Sequence, residues 1–379
     1  MDGSLSQPLQ KLRILHVLNH CERGHGNAHV AVDLACEQTK RGHAVGYVSA
    51  GGWLEDVLLA NNVQLIHLDQ TTARLRRAPA MVAQLCKIID EFKPDIVHAH
   101  MMGAAVIGFA ATRIKGVPFI THIHNSFDFH SLLMRLGDRI IAVSEAVARQ
   151  SIARGMPKSK IRVVLNGTTG TARLAEPPPP PMDLQRPCIG TVAGLHPRKG
   201  IDTLISAFEQ VFQARPDVHL YIAGVGPYGE AYENQAKASA AAANIHFLGF
   251  VMDPRPYLAS FDVFALPSLA DPFALVVLEA RWAGCAIVVS DVDGMPEAVD
   301  HGKAGRLIPP GNPDALATTM LDVLRSPESL AQAKRAARTG AEHFSVGRVA
   351  DDTEQVYREL ISSIGYAAAQ TELKSSAPT

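Results

Sequence analysis

Two parallel α/β domains joined by a stiff connector are the fold class that this sequence predicts, on three observations. Short β-branched runs alternate with longer amphipathic or alanine-rich runs in both halves. A polyproline stretch, Glu176-Pro177-Pro178-Pro179-Pro180-Pro181, breaks that alternation near the middle. At 379 residues the chain also exceeds what one hydrophobic core usually fills.

Each element follows in order. Arg13–Leu18 predicts the first strand, and Arg23-Gly24-His25-Gly26-Asn27 turns it into a helix that runs through Gln38. Further strands are expected at Ala44–Ser49, Asp95–Ala99, Pro118–His122, Arg139–Val143 and Ile161–Leu165, with helices between them, which implies one parallel sheet over residues 1–176. Prolines lack the backbone donor and favour extended chain, so 177–182 is the connector. Strands resume near Cys188–Ala193, His219–Ala223, Ile245–Leu248, Val263–Leu266 and Ala286–Ser290, giving a second sheet over 183–345. In 346–379 a helix from about Val346 to Ile364 puts Val349, Val356, Tyr357, Leu360 and Ile361 on one face, which requires a packing partner. The ends, Met1–Gln10 and Ala367–Thr379, are expected to be disordered.

Composition excludes several classes. With 47% hydrophobic and 19% charged residues and no long apolar run, the sequence is that of a soluble globular protein. A net charge of -1 argues against a bulk nucleic-acid binder. Five scattered cysteines lack the paired spacing of a zinc site, which points to reduced thiols in a cytosol. Met1–Gln10 carries no export signal. Arg74-Leu75-Arg76-Arg77 followed by 78–92 reads most simply as a solvated basic face; its alternative is peripheral contact with an anionic inner membrane face.

The motifs lie at strand ends, where parallel sheets bind ligands, and two such domains would enclose a cleft. Asp271 and Glu279 stand with seven residues between them, one in a loop and one two turns into an apolar helix, so both carboxylates could accept hydrogen bonds from the paired hydroxyls of a sugar. Gly194-Leu195-His196-Pro197-Arg198-Lys199-Gly200 precedes a helix and offers cations and free amides to an anion, with a solvated basic turn as the plain alternative. Gly224-Val225-Gly226 ends another strand with glycines that would let a ligand approach the backbone. Asp291-Val292-Asp293 superficially resembles a metal-binding pair but reads as a polar strand end. Histidines pair at His16 and His20, His98 and His100, and His122 and His124; this pattern favours hydrogen-bonding groups over metal ligands, and His124 is the functional candidate.

Taken together, these residues resemble the family 4 retaining glycosyltransferases, the glycosyl transferases of group 1, which share the GT-B fold. The resemblance runs from about Arg13 to Ile364. It is carried by the Asp271 to Glu279 spacing, the glycine loop near Gly26, Asp95-Ile96-Val97-His98-Ala99-His100, Ala142-Val143-Ser144-Glu145, Arg198-Lys199-Gly200, Pro267-Ser268 and Gly294-Met295-Pro296-Glu297. It implies that Glu279 binds the donor ribose, that Lys199 with Arg198 binds the diphosphate, and that Asp271 with the amides of Phe273 and Ala274 holds the transferred sugar. His124 would contact that sugar from the first domain. The Gly26 turn would approach the phosphates or acceptor, Gly226 would admit the ligand, and the backbone near Phe250 would meet the base. The closing helix would cross back to the first domain.

Three departures stand out: Asp271 replaces the usual glutamate, Gly194 a phosphate-binding arginine, and Ala274 a glycine. The implied activity is transfer of a hexosyl group from a nucleoside diphosphate sugar, UDP-linked before GDP-linked, to a glycan, lipid-linked or small-molecule acceptor with retention, without a metal or cofactor. The alternatives are a sugar-nucleotide epimerase of the same architecture and a non-catalytic nucleotide-sugar-binding protein.

Overall fold

A computed structural model describes residues 11–70, 78–125, 129–174 and 176–375 and resolves the chain into two compact units. The first comprises the chain up to Ala142, Gln150–Val164 and the segment from Val349 onward. Its sheet has seven parallel strands: β1 (Arg13–Val17), β2 (Ala44–Ser49), β3 (Gln64–His67), β4 (Ile96–His100), β5 (Phe119–Ile123), β6 (Arg139–Ala142) and β7 (Ile161–Val163), in the order β3-β2-β1-β4-β5-β6-β7. The strand β3, Gln64-Leu65-Ile66-His67, has polar ends and an edge position, so its pattern was too weak to read from sequence.

Alternation along the strands sorts this sheet's core into two layers. Leu15, Val17, Val97 and Ala99 face one side and pack on Met81, Leu85, Ile89 and Phe92 of the helix Ala78–Phe92. That helix therefore turns its apolar face to the core, whereas the basic segment 71–77 before it lies outside the described residues. Ile14, Ile96, Ile120 and Ile141 face the other side, where Val349, Val356, Tyr357 and Leu360 of the closing helix cover them. The crossing-back helix thus has the partner its amphipathic pattern required. It runs to Ser375, past the end expected near Ile364, because alanines and other strong helix formers continue the chain. The expected disorder of 1–10 and 376–379 falls outside the described residues, whereas 367–375, also expected to be disordered, is the end of this helix. No helix is long and apolar enough to cross a membrane among the described residues.

The second unit comprises Val143–Arg149 and Leu165–Arg348. Its six parallel strands are β8 (Cys188–Val192), β9 (His219–Ala223), β10 (Ile245–Gly249), β11 (Val263–Leu266), β12 (Ala286–Ser290) and β13 (Arg306–Ile308), in the order β10-β9-β8-β11-β12-β13. The edge strand β13, Arg306-Leu307-Ile308, offers only two apolar residues, too few to read as a strand. Ile189, Leu220, Ile222, Val263 and Val288 pack on Ile201, Leu204, Ile205 and Phe208 of the helix Ile201–Ala214. Strand order reverses between β1 and β4 in one sheet and between β8 and β11 in the other, and at such reversals the loops beyond the strand ends diverge to leave a crevice.

Candidate functional site

In the second unit, the loops leaving β8 and β11 meet at the reversal point. A short 3-10 turn, Pro197–Lys199, closes on Gly200, whose φ of 65° lies in the left-handed region; a Cβ there would sit 2.0 Å from the Pro267 carbonyl oxygen. Only glycine permits that approach. The Leu269 amide donates to the Arg198 carbonyl at 2.7 Å, stitching the two loops together. Lys199 Nζ then reaches Asp271 Oδ2 at 2.5 Å, and both side chains are largely withdrawn from solvent. The Asp271 amide donates to Asp293 Oδ2 at 2.8 Å, so the acidic loop is fixed from a third strand end as well.

The helix Leu275–Ala283 starts three residues beyond Pro272, leaving its first-turn amides without intrahelical partners just after Phe273 and Ala274. It carries Glu279, half-buried. The Arg255 guanidinium is held above its ordinary pKa, first by its hydrogen bonds to Asp253, with the Glu176 and Glu279 carboxylates adding to the effect, so a cation lies within electrostatic reach of Glu279. The helix is pinned by Arg281, fully buried, which donates to the carbonyls of Ala298 (2.6 Å), Ala337 (2.9 Å) and Thr339 (2.8 Å) and pairs with Asp300 at 2.9 Å.

Glu297 accepts hydrogen bonds from the amides of Glu145 (2.7 Å) and Ala146 (2.9 Å), the start of the helix Glu145–Ala153. Gly294, three residues before it, packs so tightly that a Cβ would lie 2.0 Å from the Pro272 carbonyl oxygen. The Gly-Met-Pro-Glu segment therefore braces the acidic loop from beneath.

Of the sequence candidates here, Lys199 and Asp271 touch, and Phe273, Ala274 and Glu279 follow on the same loop and helix. Arg198 joins them through its backbone, its side chain being exposed. Gly226 packs against Leu195, where a Cβ would meet the backbone oxygen at 2.5 Å. Phe250 lies beyond β10 with its side chain 54% exposed.

In the first unit, Gly26 opens the helix Gly26–Lys40 after β1. His124 stands at the end of β5 in a group of five imidazoles on β1, β4 and β5. His16 Nδ1 lies 3.0 Å from His100 Nε2, and His100 Nδ1 3.0 Å from His124 Nε2. His16 Nε2 meets Gln38 Oε1 at 2.8 Å, and His98 Nδ1 meets the Tyr357 hydroxyl at 2.6 Å. Burial pushes the His16 pKa down to about 4 against the opposing Gln38 bond, and His124 down to about 3. His98, His100 and His122 are held well below the usual range, first by burial and then by their neighbours. Two triads, His16/His98/His100 and His100/His122/His124, bring ring nitrogens within 4.8 Å of one another, the spacing a metal could use.

Sequence reading assigned no site role to Asp293, Glu297, Arg255, Arg281, Gln38 or Tyr357. Asp293 passed as a polar strand end, since only the fold sets it against the Asp271 amide. Arg281 and Gln38 sit on helices like any surface residue, and nothing local marks them as buried.

The model for "Glycosyl transferases group 1" matches residues 174–340, and that for "Glycosyltransferase Family 4" matches residues 25–169. The chain is 30% identical over 317 residues to a phosphatidyl-myo-inositol mannosyltransferase of Mycobacterium tuberculosis, covering 77% of this chain and 81% of that one. It is also 30% identical over 293 residues to a glycogen synthase of the same organism, covering 70% of this chain and 69% of that one. Among solved structures, HepE of Anabaena in complex with UDP and glucose superimposes with a TM-score of 0.78 at 22% identity, over 92% of this chain and all (100%) of that one. A glycosyltransferase from Rickettsia africae gives 0.77 at 18% identity, over 93% and 99%.

Proposed function

The chain belongs to the family 4 glycosyltransferases of group 1, and on that premise we propose that it moves a hexosyl group from a nucleoside diphosphate sugar to an acceptor hydroxyl with retention of anomeric configuration. The observation that carries the reading is the Lys199 to Asp271 contact of 2.5 Å at the start of the helix that bears Glu279. A cation, an acid and the amides of a helix start converge there, as a phosphorylated sugar requires.

As the glycosidic bond breaks, negative charge grows on the departing diphosphate. Lys199, with Arg198 beside it, meets that charge more strongly in the transition state than in the ground state, which is what accelerates the step. Asp271 holds Lys199 in place before the donor arrives, then accepts a bond from a hydroxyl of the transferred sugar. Glu279 takes the ribose hydroxyls, with the Arg255 cation within electrostatic reach of its carboxylate. The leaving phosphate receives the acceptor's proton, and no metal enters the scheme. UDP-linked donors come first in this reading and GDP-linked donors second. The two mycobacterial relatives bear the names of a lipid-headgroup and a glycogen enzyme, so a glycan or lipid-linked acceptor is the class that fits.

The experiment is a thermal-shift panel of UDP, GDP, ADP and their sugar conjugates, followed by product analysis with and without acceptor. A true donor at 100 times its Kd adds about 2.7 kcal/mol of stability. Lys199→Ala should lower kcat by about 100- to 1,000-fold, the loss typical of one such donor. Normal turnover by that variant would contradict the assignment. Isomerised nucleotide sugar formed without acceptor would instead indicate an epimerase, and binding without turnover a non-catalytic protein.

A further inference from the structure

We propose that Gln38 and three imidazoles form a directional hydrogen-bond relay that presents His124 Nδ1 as a bare acceptor for a substrate hydroxyl. Only the identification of that hydroxyl as substrate rests on the transferase reading above.

The direction follows from the orientation of the Gln38 amide, whose Nε2 donates to the Tyr357 hydroxyl. The Tyr357 hydroxyl lies 2.6 Å from His98 Nδ1 and 3.4 Å from Gln38 Nε2, so it donates its one proton to His98 and accepts from Gln38. That turns Gln38 Oε1, which can only accept, toward His16 Nε2 at 2.8 Å. His16 therefore carries its proton on Nε2, and its Nδ1 is a lone pair. The donor facing that lone pair is His100 Nε2 at 3.0 Å, so His100 Nδ1 is a lone pair in turn. His124 Nε2 supplies its proton at 3.0 Å, which leaves His124 Nδ1 bare. A neutral imidazole has one donor and one acceptor, so a choice made at Gln38 propagates through all three rings. Burial keeps each ring neutral.

Position marks the relay as more than packing. One rung back, the same sheet face is covered by Ile14, Ile96 and Ile120, which bury without needing any partner. Imidazoles replace them only toward the strand ends, at the β1/β4 reversal. The relay begins at a buried glutamine and ends at His124, which is half-buried and reaches solvent beside Asn125. His122, 1% exposed and with neither nitrogen bonded among the described residues, offers the relay no competing proton.

The test is nitrogen NMR of the ligand-free full chain with labelled histidines, His124 being assigned by its loss in His124→Asn. Wild type should show Nε2-protonated His16, His100 and His124. Gln38→Glu, whose carboxylate still accepts, should keep that pattern, whereas Gln38→Met should leave His124 a mixture of tautomers. With the donor chosen by the stability panel, Gln38→Met should lower kcat/KM roughly tenfold and Gln38→Glu should restore it. If the hydroxyl belongs to the donor, acceptor-free hydrolysis falls equally; if it belongs to the acceptor, only transfer falls. An Nδ1-protonated His124 in wild type would overturn the relay even if Gln38→Met fails to fold. So would a Gln38→Met spectrum matching wild type, or stoichiometric zinc or copper replacing the shared protons. The expected tautomers in a chain that no nucleotide sugar stabilises would instead sink the transferase reading alone.

Discussion

Lys199 and Asp271 stand 72 residues apart in sequence and share one hydrogen bond, and what holds them there is a set of residues with no chemistry of their own. Asp293 is the nearest of these, because its carboxylate takes the Asp271 amide. Removing it in Asp293→Ala strands a part-buried amide and loosens the loop. A charged acceptor of this kind is worth about 1.5–3 kcal/mol, so kcat/KM should fall about tenfold or more, while Asp293→Asn, which keeps an acceptor oxygen, should recover most of the loss. Steady-state kinetics on the two variants decides it; equal losses in both would mean that the charge rather than the hydrogen bond is needed. Asp271 and Glu279 could be singled out in sequence because their spacing is local, and Lys199 because it stands in a short cationic turn; the contact between Lys199 and Asp271 could not. Nor could the role of Asp293, since its partner is named only by the fold.

Elements supply the next level of control. The helix Leu275–Ala283 is oriented by Arg281, whose guanidinium donates to three carbonyls and whose Cζ lies 5.0 Å from the centroid of the Phe344 ring. Arg281→Met would fit the volume but orphan those acceptors, and should destabilise the second unit by about 3–5 kcal/mol, read as a lower denaturant midpoint. An unchanged midpoint would mean that water replaces the guanidinium. Gly200→Ala acts on the preceding turn. The left-handed conformation alone costs about 1–2 kcal/mol, and the overlap with Pro267 adds to it, so Lys199 should lose its register and activity should fall further than stability.

At the scale of the molecule, the imidazole group links the first unit to pH. The unfolded chain binds a proton at His16 near pH 6.5, and the folded chain does so only near pH 4. The folded pKa is the lower one, so this contribution is fully present above pH 6.5 and is lost as pH falls toward 4. For His16 the gap amounts to about 3 kcal/mol, with the other buried imidazoles acting in the same direction. Urea midpoints measured from pH 7.5 to 4.5 should drop steeply below 6.5, and His16→Asn should flatten the slope even though it lowers the starting stability. A flat wild-type profile would mean that these rings are already charged in the native state.

The sequence by itself determined the two parallel sheets, the amphipathic closing helix and the order of motifs along the chain, because strand periodicity, glycine turns and helix faces are set by neighbours within a few residues. It left β3 and β13 unread, since an edge strand with polar ends and an edge strand with two apolar residues carry too little pattern. Tertiary structure alone decided which side chains share a proton or a carbonyl: Asp293 with Asp271, Glu297 with the amides of Glu145 and Ala146, Gln38 with His16. Each of these bonds joins residues far apart in sequence, and a hydrogen bond depends on a few tenths of an ångström that only the packed sheets can fix.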